Sequence, residues 1–180
     1  MRTLILGDVG TGKTLLTKRL LREALEETDG MVTVLDFAPP AKVISSLRVG
    51  GFLTGEEHPR LRHLKSSLIE TPRLSARDGD ELIRLAEHNR RITGAMLREF
   101  TRSPTEVLFV NDVSIHLQRG SQGSLWRALA AAETVVANGY MGERLRMDYG
   151  SGVSDREQVL MRRLAAKMDR VINLRGDLKE

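Results

Sequence analysis

Eight residues near the start of the chain, Gly7-Asp8-Val9-Gly10-Thr11-Gly12-Lys13-Thr14, have the types and spacing to bind phosphate. Glycines at 7, 10 and 12 let the backbone turn where a Cβ would forbid it and let it approach a ligand closely. Successive N–H groups of such a loop converge into an anion-binding concavity. The first turn of a following helix adds unpaired donors and the positive end of its dipole. In this pattern Lys13 supplies a mobile cation for the β- and γ-phosphates, and the Thr14 hydroxyl can ligate Mg²⁺.

Other polar residues stand at the ends of apolar runs. Asp36 closes Met31 to Leu35, where it either faces substrate or metal-bound water, or caps the next turn. Asn111 and Asp112 follow Val107-Leu108-Phe109-Val110, and Asn138 follows Thr134 to Ala137. In open α/β sheets the carboxyl ends of the strands form the ligand crevice, so these tips are candidate site positions. His58 and His63 flank Arg60 and Arg62, but two histidines without a carboxylate framework make a poor metal set. His116 alone reads as structural. Of two glycine-rich stretches, Arg48 to Gly55 reads as a lid, a substrate loop or a plain connector, and Gly139 to Gly152, with Arg144 and Arg146, as a flexible basic loop that closes over the phosphate site, reaches it with an arginine, or is simply solvated.

These residues need elements to hold them. Five apolar runs read as strands, at 2–6, 31–36, 107–111, 134–138 and 171–174. Leu15 to Leu25, Leu82 to Phe100 and Leu160 to Ala165 repeat at helical spacing. The second helix is expected from Asp78 to Phe100. The third is expected to open on a capping box, with Ser154 as N-cap and Glu157 reaching back. Leu125 to Ala130 suggests a short helix. Lys42 to Leu47 reads as another, Leu61 to Leu64 as a short strand, Thr71-Pro72-Arg73 as a turn, and the tail from Gly176 as frayed. Helices between strands require crossovers, so the expected fold is three-layer α/β/α around a mainly parallel five-stranded sheet. The 180 residues suit a single domain, with 41–100 as an insertion and candidate substrate region.

Composition narrows the class. There are no cysteines, which excludes disulfides, thiolate metal sites and cysteine nucleophiles. No stretch reaches the 18 or more apolar residues of a membrane span, and the first apolar run leads straight into the glycine loop rather than a signal peptide; a cytoplasmic protein is expected. The net charge is +4, and 22 of the 28 basic residues are arginine. Arginine binds phosphate bidentately, but here it is spread along the chain rather than clustered, as on an ordinary solvated surface.

The glycine loop between a strand and a helix resembles the P-loop of the P-loop NTPase superfamily. One strand between the P-loop helix and the 107–111 strand, and two after it, resemble the RecA-like branch, which implies strand order 5-1-4-3-2. By that resemblance 107–112 is the Walker B segment, which in many relatives ends in Asp-Glu. Here it ends in Asn111-Asp112. Either Asp112 holds the metal shell, or Asn111 takes that place and Asp112 is the base. Asn138 takes the place of a polar γ-phosphate sensor, and the loop 113–123 that of a DNA- or substrate-contacting surface. Val135 to Gly142 and Arg156 to Leu174 are similar to segments of adenosylcobinamide kinase/guanylyltransferase; the guanylyl-accepting His/Arg/Trp segment of that family is not matched. The run from Gly-Asp-Val-Gly-Thr-Gly-Lys-Thr to Val-Asn-Asp-Val-Ser also resembles a group of small archaeal ATP-binding proteins.

The resemblance implies ATP and Mg²⁺ as cofactors, with Lys13, Asp112 and Asn138 as catalytic residues, Thr14 and Asp112 at the metal, and residues 7–14 around the phosphates. It implies ATP hydrolysis or phosphoryl transfer to a small-molecule acceptor. A nucleotide-switched module acting on nucleic acid or a protein is the second expectation, and a homo-oligomer is compatible with either. No Asn-Lys-x-Asp guanine motif and no Leu-Ser-Gly-Gly-Gln signature occurs, which favours adenine and disfavours a transporter ATPase.

Overall fold

The computed structural model describes residues 1–44, 46–54 and 57–175. Gly55, at the end of the first glycine-rich stretch, and the tail 176–180 lie outside the described residues.

Six strands form one sheet. They are β1 (Arg2–Gly7), β2 (Val32–Asp36), β5 (Leu61–Leu64), β6 (Val107–Asn111), β7 (Thr134–Tyr140) and β8 (Arg170–Leu174), in the order β5-β2-β6-β7-β1-β8. Every pairing in this sheet is parallel. Renumbered over the five expected strands, this is 5-1-4-3-2, with β5 added at the β2 edge. Strands β3 (Lys42–Ile44) and β4 (Leu47–Val49) pair separately as an antiparallel hairpin. That hairpin replaces the helix expected over 42–47. Val43 in the hairpin is exposed, and a run of six residues is too short to hold a helix without tertiary packing.

The helices are α1 (Lys13–Glu27), α2 (Pro72–Ser75), α3 (Gly79–Arg102), α4 (Val113–Leu117), α5 (Gln122–Ala130) and α6 (Val153–Ala165). Strand side chains alternate between two cores, as the pleat demands. Ile5, Val34, Phe109 and Val136 face α1 through Leu21 and its neighbours. Leu4, Leu6, Leu35, Leu108, Val110 and Ala137 face the opposite way, onto Met96, Leu97 and Phe100 of α3, Leu125 and Leu129 of α5, and Met161 and Leu164 of α6. Helix α1 thus covers one face and α3, α4, α5 and α6 cover the other, giving three layers. Each fully buried Leu or Phe contributes roughly 2–3 kcal/mol of transfer free energy.

Two helix starts deserve comparison. Helix α3 opens on a side-chain cap, one residue after the expected start: the Asp78 carboxylate accepts from Glu81 N at 2.8 Å, and Glu81 in turn accepts from Arg77 N at 2.9 Å. Helix α6 does not. Its N-cap is Gly152 at φ 75°, two residues before Ser154. Glu157 then falls one turn from the buried Val153 and Met161 and points inward instead of reaching back.

No helix among the described residues is long and apolar enough to cross a membrane.

Candidate functional site

The glycine loop joins the C-terminal end of β1 to α1. Gly12 has φ 87° and serves as the N-cap of α1, a left-handed position that an L side chain would strain. Lys13 folds back over the loop, its Nζ donating to Asp8 O at 2.6 Å, and Thr11 Oγ1 donates to the same oxygen at 2.9 Å. Burial pulls the lysine below its usual range, while the charges of Asp112 and Asp8 oppose that shift. Thr17, one turn further on, donates to Lys13 O at 2.8 Å.

Asp8 turns away from the concavity. Its carboxylate accepts from Val9 N at 2.6 Å, Glu143 N at 2.9 Å and Arg144 N at 3.3 Å. A Cβ on Gly142 would run into that carboxylate, so glycine is required at this close approach. Burial raises the Asp8 carboxyl, but the three N–H donors together outweigh it and leave it below the usual value. The loop after β7, expected to be open and basic, is therefore fastened to the glycine loop.

At the tip of β6 the two candidates separate. Asn111 is 1% exposed. Its Nδ2 donates to Asp36 Oδ1 at 2.7 Å and to Gly51 O at 3.1 Å, and its Oδ1 accepts from Asn138 Nδ2 at 3.0 Å. Both of its donors are spent inside the protein. Asp112 is partly buried, adopts a left-handed conformation (φ 59°, ψ 60°), and lines the cleft with Lys13 and Thr14. Ser114 Oγ donates to its carboxylate. Burial pushes the Asp112 carboxyl up; the Ser114 bond and the charges of Lys13 and Arg73 pull it down, and the net shift is upward. Non-glycine residues in such conformations are concentrated at functional sites, because the turn that strains them also aims the side chain.

Asn138 is 2% exposed. It donates to Thr17 Oγ1 at 2.9 Å and to Asn111 at 3.0 Å, and accepts from Asp112 N at 3.0 Å. With both N–H groups engaged, it holds the Asp112 peptide in place. Asp36 is fully buried and neither faces the cleft nor caps the turn that follows β2. Its carboxylate accepts from Leu53 N and Asn111 Nδ2, both at 2.7 Å, and meets His63 Nε2 at 3.0 Å. Thr17, Asn138, Asn111, Asp36 and His63 form one polar chain across the strand tips.

The expected DNA- or substrate-contacting loop at 113–123 is replaced by α4, whose five residues are all buried, and by the start of α5. His116 is held by Thr93 Oγ1 at 2.8 Å, and burial lowers its imidazole to about 4, so it stays neutral. No group of three or more His, Asp or Glu among the described residues could hold a metal.

The cleft between the glycine loop and these tips has a volume of about 160 Å³. Its lining includes Arg48 on β4, which opens the stretch read as a lid, substrate loop or connector, and Arg73 on α2, which the sequence offered only as part of a turn. Arg73 meets Glu157 Oε1 at 3.0 Å and lies over the Tyr140 ring at 4.9 Å. Gln118 Nε2 donates to Glu157 Oε2 at 2.9 Å. Local spacing carried no trace of Arg73, because its partner is 84 residues away. The one available signal was a glutamate on the apolar face of α6.

Over the five expected strands the parallel sheet runs 5-1-4-3-2, with the glycine loop after β1, the neighbour of the edge strand β8; this is the arrangement that the resemblance to RecA-like P-loop NTPases implied. No family model matches the chain, and no curated protein matches it. Among solved structures the chain is similar to the Pif1 helicase from Candida albicans, with a TM-score of 0.35 and 16% identity over 98% of this chain. It spans 36% of the helicase's length. A likeness that low adds nothing to what the topology already shows.

Proposed function

We propose that this protein binds ATP with Mg²⁺ at the glycine loop and hydrolyses it or transfers its terminal phosphoryl group. The observation that supports this most is that Lys13, Thr14 and Asp112 line one cleft at the carboxyl ends of β1 and β6. The donor set fits the pair of ligands. Loop amides and Lys13 match a polyphosphate, while the Thr14 hydroxyl and the Asp112 carboxylate are the hard oxygen donors Mg²⁺ takes. Bound Mg²⁺ would neutralise phosphate charge. Lys13 stabilises charge on the transferred group, and Asn138 keeps Asp112 aimed. Because the Asn111 side chain is spent on Asp36, Gly51 and Asn138, this reading takes the alternative in which Asp112, and not Asn111, holds the metal shell.

Adenine is the base this reading takes. Lys13→Ala should abolish Mg-ATP binding in calorimetry, and unchanged affinity overturns the assignment.

One observation favours a second reading. The Asp8 carboxylate ties the glycine loop to 143–144, so nucleotide binding would move a loop carrying Arg144 and Arg146. A nucleotide-switched module for nucleic acid or a protein partner would use that coupling. It requires ATP-dependent DNA or RNA binding that weakens steeply with salt; a flat salt response in an anisotropy titration removes it.

A further inference from the structure

The reaction proposed for the cleft uses Lys13, Thr14 and Asp112 and leaves Arg73 idle on the same wall. The position of Arg73 is built rather than incidental. It belongs to α2, a four-residue helix too short to hold its own shape. Neighbours hold it. Before α2, the fully buried Asn89 of α3 clamps Glu70: its Nδ2 donates to Glu70 O at 3.0 Å, and its Oδ1 accepts from Glu70 N at 2.9 Å. After α2, Tyr149 Oη donates to Ala76 O at 3.0 Å. The Arg73 side chain is 6% exposed, with its guanidinium carbon 4.9 Å from the centre of the Tyr140 ring. Its charge, like that of Lys13, acts on the Asp112 carboxyl.

Arginine is almost never buried this far without a partner. The partner it has serves poorly as a structural one. Glu157 Oε1 lies 3.0 Å from Arg73 Nη2, yet it accepts no hydrogen bond among the described residues. Gln118 Oε1, in the same cluster, is also without a donor. Burying two charges costs about as much as their attraction returns, so such a pair adds little stability. Orphaned acceptors reduce it further. Among the described residues Arg73 makes one hydrogen bond, from Nη1 to Ser154 Oγ at 3.4 Å. The rest of its five N–H donors remain unused, on a residue that borders the phosphate cleft.

Resting on the reading of this cleft as a nucleotide site, we infer that Arg73 is a further catalytic residue, whose guanidinium contacts the terminal phosphoryl group and stabilises the charge on it during transfer. In that step the oxygen of water or of an acceptor hydroxyl bonds to the terminal phosphorus. The bond to the bridging oxygen breaks, its electron pair leaves with ADP, and the proton of the attacking group passes to solvent. Arg73 neither gains nor loses a proton; it acts through charge and a fixed fork of donors. The chain thus supplies this arginine to its own site and needs none from a second copy.

The test reads binding by calorimetry for two probes: ADP with Mg²⁺, and the same with aluminium fluoride, which mimics the phosphoryl group during transfer. On the wild type, aluminium fluoride should tighten ADP binding strongly. Arg73→Met is made together with Glu157→Gln, so that no carboxylate is left buried without its cation. This double variant should bind ADP as before and gain nothing from aluminium fluoride, and its turnover should fall about a thousandfold. Glu157→Gln alone leaves the guanidinium an amide oxygen to rest on and should keep the gain. A urea transition shows that each variant is folded. Arg73→Lys keeps a cation beside Glu157 but not the planar fork, so it should lose the gain even if the double variant does not fold. The inference is overturned if aluminium fluoride fails to tighten ADP on the wild type, or if a folded Arg73 variant gains as much as the wild type. It is also overturned if mixing an Arg73 variant with Lys13→Ala restores turnover, which puts the arginine in another copy's site. Failure of the wild type to bind ADP or an ATP analogue at all is read separately; it removes the nucleotide reading and this inference with it.

Discussion

Replacing Asn138 separates a residue that touches nucleotide from one that holds the site together. In the structure Asn138 makes three hydrogen bonds to protein and is 2% exposed. Asn138→Ala removes all three at once. Thr17 Oγ1 keeps its bond to Lys13 O at 2.8 Å and is not orphaned. Asp112 N loses its acceptor but borders the cleft, where water can replace it. Asn111 Oδ1 has no such rescue, because Asn111 is 1% exposed. An unsatisfied buried polar group costs about 1–3 kcal/mol. One full and one partial penalty, with the lost packing, give a destabilisation of about 2–4 kcal/mol. Asn138→Asp should be at least as damaging. It sets a carboxylate oxygen against Thr17 Oγ1, whose one proton is already given to Lys13 O, and against Asn111 Oδ1, an amide oxygen that only accepts. Urea unfolding of the nucleotide-free protein reads the effect as a lower midpoint at unchanged slope. A residue that served only as a contact for bound phosphate would leave that midpoint alone. If both variants unfold within about 0.5 kcal/mol of the wild type, the positioning role is wrong.

Two more predictions follow from single contacts. Asp8→Ala should free the segment after Met141, and trypsin should cut at the exposed Arg144 several-fold faster; Gly142→Ala should do the same, and equal cleavage rates would show that the clasp is not what orders the loop. Because the Asp8 carboxyl is held below its ordinary value, the clasp is intact above that range and is lost as pH falls through it. Glu157 has the opposite sign. Burial outweighs Arg73 and Gln118 and raises its carboxyl from 4.5 to about 7. The folded state therefore binds this proton more tightly than the unfolded state. The stability it lends is complete below 4.5 and is lost as pH rises toward about 7. Glu157→Gln should flatten the fall in urea midpoint over that interval, and an unchanged slope would refute the shift.

Much of the fold was readable because its signals are local. The apolar runs Leu4-Ile5-Leu6 and Val107 to Val110 became strands whose side chains are shared between the two cores, and the long stripe from Leu82 to Phe100 became α3. What failed were patterns that two structures share. Ser154-Asp155-Arg156-Glu157 satisfies the spacing of a capping box, yet Gly152 can take a left-handed conformation at no steric cost and starts α6 earlier. That shift turns Glu157 onto the buried face, where only a distant cation can accompany it. The hairpin β3–β4 failed for the reverse reason: three-residue strands carry too little periodicity to be told from a turn of helix.

The candidate site was readable residue by residue but not as a site. Asp36, Asn111, Asp112 and Asn138 all stand at the ends of apolar runs in the sequence, although β7 continues past Asn138 to Tyr140, and all have side chains suited to metal or phosphate. Residue type cannot tell which of them face a ligand and which face one another, because that depends on the order of strands in the sheet. In the order β2-β6-β7 the tips of Asp36, Asn111 and Asn138 become neighbours and pair through their side chains. Asp112, one residue beyond the strand and turned by its positive φ, escapes that pairing and is left lining the cleft. Arg73, at the position read as a turn, reaches the cleft wall on α2, where Glu157 of α6 meets it. The network at the strand tips fixes the geometry, and the groups available for chemistry are the few it leaves out.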